Sequence, residues 1–165
     1  MRYLVLGAID GIITAGTLSA SLILRGGAID IQLVISLAVV VASINALTVF
    51  VAEFSHQMRE VRELAYKLSL KEERIGWTLI HSRALYATLR SALSNFGASF
   101  LGAISVLVPA YYAPHAALLA VAAAVVATSY LLAGESWAEF LEFAAMVSLA
   151  IALGLLIGLA FPVIT

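Results

Sequence analysis

The chain reads as an all-α integral membrane protein: five transmembrane helices, with a short amphipathic helical hairpin in the cytoplasm. Three observations predict this. Hydrophobic residues fill 63% of the 165 positions and charged residues only 12%, with a mean hydropathy of +1.06, whereas a soluble domain is about half apolar and a quarter charged. Five apolar segments each approach the ~20 helical residues that cross a bilayer. A single polar segment interrupts them, and its apolar residues recur at helical spacing. Residues 1–165 thus form one membrane domain, with 54–86 as a hairpin within it.

The spans fall at about 3–24, 31–53, 86–108, 115–133 and 139–161. RGGAID (25–30) closes the first pair with glycines. PAYYAP (109–114) reads as a membrane-interface turn between the third and fourth spans, because proline breaks helices and tyrosine favours the interface. AGESWAEF (133–140) joins the last two, and Ser136 with Glu139 fits a capping box that opens the fifth helix. The opening MRYLVLGAID has one Arg and an apolar run without a clean cleavage site, so it reads as a retained helix rather than a signal peptide. The Ala-rich AALLAVAAAVVA (116–127) is packing or lipid-facing helix and carries no chemistry.

In the polar segment, Val61, Leu64, Ala65, Leu68, Ile75, Leu79 and Ile80 recur at helical spacing. The second span is therefore expected to continue beyond the membrane, turn near Leu70 and return as an amphipathic helix. Arg59, Arg62, Lys67, Lys71, Arg74, Arg83 and Arg90 are seven of the nine basic residues. The positive-inside rule puts this hairpin in the cytoplasm, and with five spans the N-terminus is cytoplasmic and the C-terminus outside. The setting this suggests is the plasma membrane of a prokaryote. A net charge of −1 gives no reason to expect a nucleic-acid partner, and the absence of Cys excludes disulfides and thiolate metal sites.

Chemistry gathers in the first two spans. Gly7, Gly11, Ala15 and Ser19 recur every fourth residue, a face that admits another helix closely. Beside it run Asp10, Thr14, Thr17 and Ser21. A carboxylate in hydrocarbon costs roughly 2.5–3.5 kcal/mol on insertion scales, so Asp10 marks a pathway unless something local offsets it. A rise of ~1.5 Å per residue puts Asp10 roughly 10 Å inside the cytoplasmic edge, with Asn45, Ser91 and Asn95 at comparable depth. Thr48 follows the face of Asn45, and Glu53 sits at the mouth. Carboxylate, amide and hydroxyl oxygens suit hard or borderline divalent cations. His56, Met58, Glu60, Glu63, Glu72 and Glu73 form a second candidate group, for collecting metal on the cytoplasmic side. Their plainer role is a solvated, charge-paired helix face, as for Glu63 with Lys67. No nucleophile elbow, HExxH or glycine-rich phosphate loop appears, so an enzyme is not expected.

GAIDGIITAGTLSASLIL (7–24) resembles the opening helix of the vacuolar iron transporter family, with its G-x-x-D-G motif and polar-studded helix. AEF (52–54) followed by QMRE (57–60) is similar to that family's second helix and the segment after it, and ATLRSALSNFGASFLGAISVLVP (87–109) to its third. The loop is shorter than the family's metal-collecting domain, and TVFVAEF (48–54) stands where the family carries a Met-bearing stretch. The resemblance implies a homodimer that moves Fe2+ or Mn2+ out of the cytoplasm by proton antiport. The metal is then cargo rather than a permanent cofactor, and Asp10 and Glu53 lie on its route. Gly7, Gly11, Ala15 and Ser19 are then expected at the dimer seam, with Ala150, Gly154 and Gly158 as the alternative stripe. Two other functions fit the residues: a non-transporting membrane adaptor docking through 54–86, and a carrier of a small organic cation.

Overall fold

A computed structural model describes residues 2–67, 79–133 and 136–160. Those residues form five helices: α1 (Arg2–Leu24), α2 (Ile31–Lys67), α3 (Leu79–Tyr112), α4 (Pro114–Ala133) and α5 (Trp137–Ala160), with no strand among the described residues. Four of them are long and apolar enough to cross a membrane, and α4 contributes a shorter apolar stretch, Leu119–Leu131.

Local chemistry sets the ends. Gly26 adopts φ 75°, a left-handed conformation that a β-carbon would penalise. It lets Gly26 N–H donate to the Ile23 carbonyl and Gly27 N–H to the Leu22 carbonyl (both 2.9 Å), the two bonds of a Schellman cap on α1. The Asp30 carboxylate accepts from Leu33 N–H at 2.6 Å and caps α2, a start signal that RGGAID read as a turn conceals. Ser136 caps α5 as expected, with Glu139 N–H donating to its hydroxyl at 3.4 Å.

Two boundaries differ from the sequence reading. PAYYAP is not an extended turn: α3 runs through Pro109 to Tyr112, and α4 starts at Pro114. Pro109 lies in the last turn of α3; it has no N–H to donate to the Ser105 carbonyl, but its own carbonyl still accepts from Ala113 N–H at 3.0 Å. Pro114 opens α4, where its fixed φ suits a first helical residue. The helix that carries the third span starts at Leu79, within the stretch expected as the returning amphipathic helix, and runs unbroken to Tyr112. At 37 residues, α2 is about 55 Å long, well beyond a ~30 Å hydrocarbon core. The turn expected near Leu70 lies outside the described residues.

Helix α3 packs on α1, α2 and α4, while α1 also meets α5, α4 and α2. The interior is built from small residues: Ala15, Ala38, Ala42, Ala98, Ala103 and Ala110 are buried beside Gly7, Gly11 and Gly102. Many large side chains point outward, with Leu47, Leu101 and Leu156 64%, 68% and 64% exposed, although Leu107, Val106 and Val34 are fully buried among the small residues. This is the inverse of a soluble bundle. In lipid, leucine gains nothing by burial, and close backbone approach through small residues holds helices together instead.

Candidate functional site

The tightest seam in the molecule joins α1 and α3. A β-carbon at Gly7 would stand 2.5 Å from the Asn95 carbonyl oxygen, one at Gly11 would overlap the Ser99 carbonyl, and one at Gly102 would overlap the Ala8 carbonyl. The two helices run parallel, and the small residues interlock turn by turn, with Ala15 and Ala103 sharing the next cluster. Gly7, Gly11, Ala15 and Ser19 are all buried within the single chain. The stripe expected at a dimer seam is therefore filled by α3. Small-xxx-small spacing specifies close approach but not the partner, and α3 carries the matching stripe Asn95, Ser99 and Gly102. The alternative stripe is also engaged at Gly154, where an added β-carbon would stand 2.7 Å from the Thr17 side chain.

That close approach positions the polar groups. Asn45 Nδ2 donates to Ser99 Oγ at 2.8 Å, tying α2 to α3 beside Gly11. Asn95 is fully buried one turn nearer the start of α3 and donates through Nδ2 to the Tyr3 carbonyl at 3.2 Å. Its Oδ1 is buried without a partner among the described residues. The layer expected to unite Asn45 with Ser91 and Asn95 is thus split: Asn45 engages Ser99, while Asn95 braces α1.

Near the start of α1, Tyr3 Oη donates to Glu53 Oε2, and Gln57 Nε2 donates to Glu53 Oε1 at 3.0 Å. Arg2 donates to Tyr3 Oη at 2.8 Å and lies 4.9 Å from the centre of its ring. Glu53, expected at the mouth of a pathway, is held between Tyr3 of α1 and Gln57 of its own helix. Tyr3 is the residue that sequence reasoning missed. Its only sequence signal is a position seven residues before Asp10, which puts both on one face of α1.

Asp10 is half-buried on α1. Thr14, one turn along, is exposed. Thr17 continues that face, packed on Gly154 with its hydroxyl buried and unpartnered among the described residues. Thr48 does not join the site: it is exposed and bonds back to the Ile44 carbonyl at 3.0 Å, the usual resort of a hydroxyl on an apolar helix. Ser19 and Ser21 do the same, to Gly16 and Leu18.

Along the α2 extension, His56 Nε2 lies 3.4 Å from Glu60 Oε1, and Glu63 is exposed. Met58 lines a separate cleft, while Glu72 and Glu73 lie outside the described residues. Among the described residues, no three His, Asp or Glu side chains gather in a metal-holding group. In comparisons with known proteins, the chain matches no family model, and no curated protein or solved structure matches it significantly.

Proposed function

We propose that the protein is a homodimeric membrane transporter that moves Fe2+ or Mn2+ out of the cytoplasm in exchange for protons. The observation that supports this most is Asp10: a half-buried carboxylate inside an apolar 23-residue helix, one turn from an exposed threonine. Such a group in a bilayer calls for an opposing surface or a hydrated path. With the Gly7–Ser19 stripe engaged by α3, the part of α1 open to a second copy is the Asp10–Thr14 face. Two facing carboxylates repel, so a pair shares a proton until a cation neutralises it. Glu53, at the cytoplasmic mouth, receives the ion first. Asn45 and Ser99 brace the helices at the level of Asp10, and the basic residues of α2 and α3 keep the mouth on the cytoplasmic side.

The test is uptake of Fe2+ and Mn2+ into proteoliposomes with and without a pH gradient. Asp10→Asn keeps shape and polarity but removes the titratable charge. Metal-dependent proton movement should disappear while folding and oligomeric state persist. Wild-type rates in Asp10→Asn would make Asp10 a structural residue and remove the mechanism.

A further inference from the structure

Beyond the mouth, α2 carries a cleft of about 340 Å³ lined by Phe54, Ser55, Met58, Arg59 and Arg62. Phe54 and Met58 are half-buried, whereas Ser55, Arg59 and Arg62 are exposed. Glu60 pairs with His56, and among the described residues no acid is ion-paired with Arg59 or Arg62. On a helix at about 100° per residue, His56 stands roughly 60° from Arg59 and 120° from Arg62, and Glu60 roughly 100° and 160°.

The level of this cleft identifies its occupant. Helix α2 begins at Ile31 behind the Asp30 cap, and about 20 residues of helix cross the hydrocarbon core. The core edge then falls near Val51, and Ser55 and Arg59 stand roughly 6 and 12 Å beyond it. Ser55 is then level with the headgroup layer, about 5–8 Å thick on each side, while the backbones of Arg59 and Arg62 (roughly 12 and 16 Å out) stand beyond it, their long side chains folding back toward it. On the membrane side the cleft is continued by stacked Phe50 and Phe54 rings, 6.0 Å apart and within 4° of parallel. Phosphate chemistry at one end and an aromatic wall at the other match one molecule with both parts.

We propose that this cleft binds an anionic phospholipid, its phosphate held by Arg59, Arg62 and the Ser55 hydroxyl and its glycerol and upper acyl chain laid along Phe54 and Met58. The proposal does not depend on transport. It assigns Arg59 and Arg62 a ligand rather than a general charge bias.

The probes are phosphatidylglycerol and phosphatidylcholine, titrated against purified protein in detergent, with bound lipids counted by native mass spectrometry. Each basic residue at a membrane surface gives roughly a fivefold preference for anionic lipid, so the pair should favour phosphatidylglycerol about twenty-five-fold. Arg59→Gln/Arg62→Gln should lose most of that preference, and Arg59→Lys/Arg62→Lys should keep part of it. Arg83→Gln/Arg90→Gln, an equal charge change on α3, should keep nearly all of it. Equal loss in the two Gln pairs would show diffuse attraction and overturn the site. So would displacement of the lipid by millimolar inorganic phosphate, since the cleft would then read a free anion.

Discussion

Gly11→Ala is the sharpest test of how this chain holds together. The added β-carbon would meet only backbone: it overlaps the Ser99 carbonyl oxygen and stands 2.9 Å from the Ser99 carbonyl carbon and 3.0 Å from Ala103 N. No side chain can rotate away, so α1 and α3 must separate. Overpacking of this kind costs about 1–3 kcal/mol, and separation would also weaken the neighbouring Asn45–Ser99 bond, worth about 1 kcal/mol. Against this stands the ~1 kcal/mol by which Ala exceeds Gly as a helix former. The net expectation is a loss of about 2 kcal/mol. Gly97→Ala supplies the control, because nothing lies within 4 Å of a β-carbon there. It should be neutral or stabilising by up to ~1 kcal/mol. Equilibrium unfolding in mixed micelles, followed by Trp fluorescence, measures both. Equal stability of Gly11→Ala and wild type would refute the α1–α3 packing argued above.

Tyr3→Phe removes the phenol that donates to Glu53 and should cost about 1–2 kcal/mol. A double-mutant cycle with Glu53→Gln should return most of that as coupling, and independent effects would show that the bond does not form. Because the chain has no Cys, Thr14→Cys gives a clean probe of the proposed two-fold face and should cross-link to its copy with a short bifunctional thiol reagent. Ala15→Cys, buried under α3, should not. The reverse pattern would return the seam to the small stripe.

Much of the architecture was legible because it rests on local chemistry. The apolar runs marked all five helices, Ser136 marked the start of α5, and the helical spacing at Val61 and Leu64 foretold that α2 continues past Glu53. Pro109 was misread because a proline permitted in a last helical turn looks the same in sequence as one that makes a loop. The small stripe was read as a place of close approach at a dimer seam, and within the chain it is α3 that packs there. Spacing on one helix says that something comes near; it contains nothing about whether the neighbour is α3 or a second α1. Complementary spacing on α3 at Asn95, Ser99 and Gly102 was the available signal. Tyr3 was missed for a related reason. A tyrosine at the third position of a membrane helix is ordinary interfacial composition, and its bond to Glu53, fifty residues away, is visible only in three dimensions.

The distribution of polar groups also follows one physical logic. Between α1 and α3 the backbones come so close that Gly7 and Asn95 leave no room for another side chain, so the Asn95 amide reaches the Tyr3 carbonyl directly. The same contact brings Ser99 to Asn45 at the level of Gly11. These amides and hydroxyls satisfy one another across helices and cost little in lipid. Asp10 follows a different rule: it sits beside this bonded seam, on the flank that leads through Thr14 to the surface. A carboxylate serving only to join α1 to α3 would be placed on the seam, where Asn95 and Ser99 offer donors. Its position on the open flank is what directs attention to a charge or partner arriving from outside the single chain.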